Sequence, residues 1–133
     1  MKLQPPSMDQ WLTEAKADPS APNVGMYLTH NGTVRRTARA AVRAGDQTAS
    51  PVAAMRFSYN AEAVAAAVED AKKLEGVYYV RVWLNQGLLA VGDDIMYVLI
   101  GADIRPHAIQ ALQTLVGEIK THCVSETELY TET

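Results

Sequence analysis

GDDIMYVLIGADIRPHAIQALQTLVGEIK, residues Gly92–Lys120, changes its hydrophobic period halfway along, and that change decides the fold. Asp94–Gly101 is an almost unbroken apolar run of strand length, rich in Ile, Val, Leu and Tyr, entered through the turn signal Val91–Gly92–Asp93. It reads as a buried strand. After the break at Asp103–Ile104–Arg105–Pro106, the residues Ala108, Leu112, Leu115, Val116, Ile119 and Cys123 fall on one face of a 3.6-residue helix. Pro106 fits the first turn of that helix, where no amide hydrogen is needed. Lys120 stands one turn beyond Val116 and two beyond Leu112, so its stem is expected along the apolar stripe with the ammonium at the border.

Outward from this unit the elements follow in order. Ser7, with Gln10 three residues on, resembles a capping box, and Met8, Trp11, Leu12 and Ala15 form the short apolar face of a small helix ending near Asp18–Pro19. Val24–Thr29 reads as a strand running into His30–Asn31–Gly32. Thr33–Arg43 is a basic loop, Gly45–Pro51 a polar and mobile one, and Val52–Tyr59 a second strand. Asn60 caps a helix whose inward face is Val64, Ala67, Val68, Ala71 and Leu74, and Gly76 stops it at the usual left-handed position. Val77–Leu84 alternates, with Tyr78, Val80, Val82 and Leu84 on one side and Val77, Tyr79, Arg81 and Trp83 on the other. Asn85–Gly87 turns the chain into Leu88–Val91. Strands and helices mix without strict βαβ alternation, so the expected class is α+β, a mainly antiparallel sheet with three helices. Residues 1–124 form one domain in this reading. Residues 125–133 form an acidic tail, either frayed or a partner-binding edge.

Composition narrows the function classes. A chain of 133 residues with 48% hydrophobic content suffices for one domain with a real core. A net charge of −3 argues against nucleic acid or an anionic membrane as partner, although Arg35, Arg36, Arg39 and Arg43 crowd one segment. The lone Cys123 excludes an internal disulfide and a thiolate metal cluster, and on the apolar helix face it reads as a small core hydrophobe. The opening MKLQPPSMDQW lacks the apolar core of a signal peptide, and no apolar run approaches the roughly 20 residues of a membrane span, so a cytoplasmic location is expected.

No phosphate loop, HExxH or CxxC occurs, and no metal or other cofactor is called for. His30, His107 and His122 lie on three different elements without ligand spacing, and each reads as an ordinary surface or satisfied histidine. Asp93–Asp94 suits a turn, since neighbours in extended backbone point to opposite faces. What remains is cationic: Arg35 and Arg36 after a strand, Arg105 and Lys120 at the two ends of the last helix. Arginine forks suit phosphate and carboxylate, and a desolvated lysine can act as base or nucleophile. An anionic small molecule fits this set, and so does a merely solvated basic face.

Gly87–Leu88–Leu89–Ala90–Val91–Gly92–Asp93–Asp94, the apolar strand after it, Arg105 at the next helix start and Ile119–Lys120–Thr121 at its end resemble the large, catalytic subunit of molybdopterin synthase. Asn31–Gly32–Thr33–Val34–Arg35 is similar to that family's Gly–Lys–Val–Arg segment, and the match spans most of Val24–Lys120. The resemblance implies an α/β-hammerhead type of α+β fold. It also implies a homodimer carrying a ubiquitin-like small subunit at each end, a heterotetramer, in which the small subunit inserts a C-terminal Gly–Gly thiocarboxylate. Sulfur would pass in two rounds to a cyclic pyranopterin monophosphate to make the molybdopterin dithiolene. Lys120 matches the family's central catalytic lysine, and Arg35 and Arg105 match arginines that hold the pterin phosphate across the dimer interface. Departures are specific. Ile104 replaces a histidine, with His107 three residues on as its substitute; Thr33 and Thr127 stand where lysines are expected, leaving Arg36 or Arg39 to replace the cations; Ser58 stands for a glutamate. Two other readings stay open: a non-catalytic binding or regulatory protein on the same scaffold that docks a ubiquitin-like partner or a phosphorylated pterin, and an unrelated α+β module that binds a phosphorylated metabolite.

Overall fold

A computed structural model describes residues 1–43, 45 and 50–131. Its strands are β1 (Met26–Thr33), β2 (Val52–Tyr59), β3 (Val77–Leu84), β4 (Gly87–Ala90), β5 (Asp94–Ala102) and β6 (Val124–Tyr130); its α-helices are α1 (Met8–Ala17), α2 (Arg39–Arg43), α3 (Ala61–Lys72) and α4 (Arg105–Glu118). Two antiparallel three-stranded sheets result, in the orders β1-β5-β3 and β4-β2-β6. The α+β class with mainly antiparallel pairing is therefore the one the sequence predicts. Of the expected loop over Gly45–Pro51, residues 46–49 lie outside the described residues. No helix among the described residues is long and apolar enough to cross a membrane.

β5 is the centre of the first sheet, flanked by β1 and β3 along its length. Its alternate residues Met96, Val98, Ile100 and Ala102 enter the main core, together with Ala108, Ala111, Leu115, Ile119 and Cys123 of the last helical stretch and Phe57 and Leu89 of the second sheet. Leu99 points the other way, into a smaller cluster with Trp11 and Ala15 of α1. Both faces of β5 are thus covered, which is why no polar residue interrupts its sequence. α1 is held on that far face by aromatic packing: the rings of Trp11 and Tyr97 meet edge-on at 6.2 Å, Trp83 and Tyr97 at 5.3 Å. The Arg81 guanidinium lies 4.5 Å over the Trp11 ring and pairs with Glu14.

Caps fall where the sequence puts them. Ser7 accepts the Gln10 amide at 3.2 Å and Asn60 the Ala63 amide at 3.0 Å. The Gln10 side chain does not close the capping box, because it donates to Glu14 instead. Gly76 sits at φ +75° after α3, in the left-handed region that its missing Cβ allows. The buried Asn85 accepts the Leu3 and Gln86 amides and donates to the Asp94 carbonyl, which pins the N-terminal stretch to the β3–β4 turn.

Four features depart from the sequence expectation. β1 continues to Thr33 instead of giving way at His30. A bulge between Val77 and Tyr79 breaks the alternation of β3, so that Val77 and Val80 both reach the core and Tyr78 is exposed. The basic segment contains the short helix α2, a fourth helix beyond the three expected. The acidic stretch from Ser125, expected as a tail, supplies β6 through Tyr130, paired along β2 as an edge strand; Glu132 and Thr133 lie outside the described residues. α4 itself ends at Glu118 and continues as one π-helical turn, Ile119–Cys123.

Candidate functional site

That π turn places the catalytic candidate. Ile119 and Cys123 remain buried at its two ends, while Lys120 and His122 face outward. The Cys123 carbonyl accepts the Asn60 amide at 2.8 Å, which ties the end of the turn to the start of α3. Turns of this kind often interrupt helices at functional sites. Burial, and secondarily Glu118, push the Cys123 thiol up from its ordinary value, in keeping with a core residue rather than a reactive one.

Lys120 opens onto a cavity of about 640 Å³, within the range of small-molecule sites. Its cationic wall is Arg35, at the end of the β1 segment, with Arg39 and Arg43 on α2. Arg35 donates from Nε to the Thr37 carbonyl at 3.0 Å, which fixes the bend leading into α2. Opposite stands β6. Glu128 accepts the Arg39 amide at 3.2 Å and the Tyr130 hydroxyl at 2.9 Å, and Glu126 lies 3.6 Å from the Arg39 guanidinium. The hydrogen bond to Glu128 also holds the Tyr130 phenol above its ordinary value. Thr33 and Thr127, the two positions where the resemblance expects lysines, both line the cavity. Its cations therefore come from Lys120 and the arginines.

The sequence-predicted site residues divide into two groups. Lys120, Arg35 and Arg39 meet in the cavity. Arg36 does not line it, although its carbonyl accepts the Val52 amide at 2.7 Å. Arg105 is exposed at the N-terminus of α4, outside the cavity. His107, two residues further, is bonded to Asp103 at 2.6 Å and lies 3.8 Å from Glu75, packed over Gly76. Asp103 is the main cause of its raised pKa, and His107 in turn holds Asp103 below the usual carboxylate range. This cluster ties the start of α4 to the end of α3.

Of the titratable residues lining the cavity, His30, Glu126, Glu128 and Tyr130 escaped the sequence reading. His30 follows Met26 and Leu28 on one face of β1, and both of these pack on the main core, so the strand's alternation carries the imidazole to the cavity side of the sheet. Burial, reinforced by the nearby Lys120 ammonium, holds its pKa below the ordinary 6.5. The signal was present in the period of β1, but it required the strand to extend to Thr33.

The family model described as MoaE protein matches residues 2–122. Among solved structures, molybdopterin synthase from Staphylococcus aureus superposes with a TM-score of 0.73 at 14% identity, over 98% of this chain and 90% of that one. The molybdopterin biosynthesis MoaE protein of Burkholderia ambifaria gives 0.68 at 19%, over 98% and 86%. The complex of subunits 1 and 2 of molybdopterin-converting factor from Helicobacter pylori gives 0.64 at 14%, over 96% and 82%. At these identities the likeness is one of fold. No curated protein matches the sequence.

Proposed function

The chain belongs to the MoaE protein family, and from that premise we propose that it is the large subunit of a molybdopterin synthase, acting in molybdenum cofactor biosynthesis. Sulfur arrives as the C-terminal thiocarboxylate of a ubiquitin-like small subunit. A thiocarboxylate is nucleophilic through sulfur, so sulfur bonds to a side-chain carbon of the cyclic pyranopterin monophosphate while the bond from that carbon to an oxygen substituent breaks. The oxygen leaves as water or as the freed phosphate ester, and the acyl group stays on the sulfur until water releases it. Two such rounds give the dithiolene. Lys120 faces the acyl group and stabilises the charge that develops on its oxygen, while Arg35 and Arg39 hold the phosphate.

The observation that carries this reading is the placement of Lys120 in one cavity with Arg35, Arg39 and Arg43. Arg105 stands outside that cavity, so in this reading a second copy of the chain brings it to Lys120 across a homodimer interface. The test is reconstitution of the purified protein with thiocarboxylated small subunit and cyclic pyranopterin monophosphate, molybdopterin being followed as its fluorescent oxidation product. Product above a control without enzyme is expected, and its loss in Lys120→Ala; because Lys120 is exposed, the variant keeps its melting temperature. Full activity in Lys120→Ala sinks the assignment of that residue. Binding of the small subunit without any product would favour a docking or regulatory protein on the same scaffold.

A further inference from the structure

We infer that His30 is the proton acceptor for the water that releases the acyl group from sulfur, an assignment that rests on the sulfur-transfer reading above. The step needs a base at the site. An acyl group bonded through sulfur to the pterin leaves when water oxygen bonds to the carbonyl carbon and the carbon–sulfur bond breaks. One water proton goes to the base, the electron pair of the broken bond stays on sulfur, and the base returns the proton there. The products are a carboxylic acid at the small subunit's C-terminus and a thiol on the pterin, with nothing oxidised or reduced.

Among the described residues, the cavity offers few groups able to take that proton. Arginine has no free lone pair for it, which removes Arg35, Arg39 and Arg43. Glu126 and Glu128 are engaged by Arg39, and Glu128 by the Tyr130 hydroxyl as well. His30 is the one imidazole on the wall, and no hydrogen bond to a described residue occupies its ring. Its Nε2 stands beside Gly32, 3.9 Å from where a Cβ of that residue would lie, which sets the ring against the Gly32–Arg35 segment. Lys120 lies close enough for its ammonium to disfavour the imidazolium, and half-burial disfavours it further. A neutral ring is the form that accepts a proton. The resemblance expects a histidine where Ile104 stands, and His107 is committed to Asp103. His30 brings an imidazole to Lys120 by a different route, from within the same chain.

The groups facing the cavity are Arg35, Arg39 and Arg43 from the β1–α2 segment, Lys120 from the π turn, and Glu126, Glu128 and Tyr130 from β6; β2 and β5 contribute Met55, Ile95 and Met96, none of which titrates. The experiment is single-turnover reconstitution across pH, with molybdopterin fluorescence and the mass of the small subunit read in parallel. Wild-type rates should be flat near neutrality and fall in acid, with the midpoint below 6.5 because the His30 pKa is lowered. In His30→Gln, product should form about a hundredfold more slowly, the acid limb should vanish, and a covalent adduct of small subunit and pterin should accumulate. His30→Phe, which fills the half-buried position with an apolar ring, must show the same adduct and serves if the glutamine variant does not fold. A wild-type rate and pH profile in either variant overturns the inference, and so does equal slowing at every pH with no adduct. Failure of the wild-type protein to form product is a separate result, which removes the sulfur-transfer reading and this assignment with it.

Discussion

Ile119 joins the stability of the fold to the position of Lys120, and shortening it tests both. Its side chain is fully buried at the start of the π turn, in the core that α4 shares with both sheets. Ile119→Ala removes three carbon groups; at about 0.8 kcal/mol each the lost transfer free energy is about 2.4 kcal/mol. A cavity term adds to this, since the turn packs against α3, α4 and β6, whose own pairing and packing let them collapse only in part into the gap. About 3–4 kcal/mol is expected, inside the range for such truncations. For a chain of this size that lowers the melting temperature by roughly 10 °C. Urea titration should show the midpoint moving by about 1.5 M with an unchanged slope. Reconstituted sulfur transfer, measured well below the melting transition, should fall further than the folded fraction explains, because a shift of about 1 Å in a catalytic group costs on the order of a hundredfold. Ile119→Val, costing about 1 kcal/mol, should keep the rate. A loss of less than 1 kcal/mol in Ile119→Ala would refute the packing argument, and a normal rate in that variant would refute the claim that Ile119 positions Lys120.

Other consequences follow from the far face and from the charged cluster at α4. Trp11→Ala should destabilise by about 3–4 kcal/mol, since this ring anchors α1, yet leave sulfur transfer per folded molecule unchanged, because α1 covers the face of β5 opposite the cavity; a lost rate in folded protein would contradict that geometry. The Asp103–His107 pair predicts a pH effect. His107 is raised above 6.5, so its contribution is complete below that pH and fades as pH rises through the folded-state value. Asp103 is lowered below 3.8, so its contribution holds above that pH and is lost as pH falls through the folded-state value. The gap in melting temperature between wild type and His107→Gln should therefore be widest between 3.8 and 6.5 and narrow towards pH 9. A gap that stays constant across this range would show the pair to be unimportant for stability.

The legible parts of the fold were those where burial leaves a period in the sequence. β5 is covered on both faces and reads as a continuous apolar run; α3 and α4 carry apolar stripes with Asn60, Pro106 and Gly76 at their ends. β6 left no such trace. Its residues Ser125–Tyr130 pair with β2 at the edge of a sheet and turn Glu126, Glu128 and Tyr130 toward a polar cavity, so no apolar row repeats along it and its glutamates have low strand propensity. The partner backbone and Arg39 hold it in place, and neither is visible locally. The bulge at Val77–Tyr79 was hidden for a related reason, because one extra residue reverses which alternate set reaches the core.

The site follows the same physics. Residues that stand on a strongly periodic element were found with their neighbours: Lys120 at the end of the α4 stripe, Arg35 after β1. Residues that reach the cavity only because two distant segments pair across it were not. Glu126 and Glu128 read as the acid of a tail until β6 is placed beside β2, where they face Arg39 and turn a basic wall into a charge-balanced one. The arginine cluster was therefore read as more basic than the cavity is. His107, three residues beyond the Ile104 position where the resemblance expects a histidine, lies one helical turn from Asp103 and is bonded to it, outside the cavity. His30 stands ninety residues from Lys120 and meets it because β1 pairs with β5 in a register that sets His30 opposite Val98, on the face where α4 and its π turn pack. Sequence proximity does not show which histidine reaches the cavity. The alternation of Met26, Leu28 and His30, followed through to the end of β1, would have placed His30 correctly.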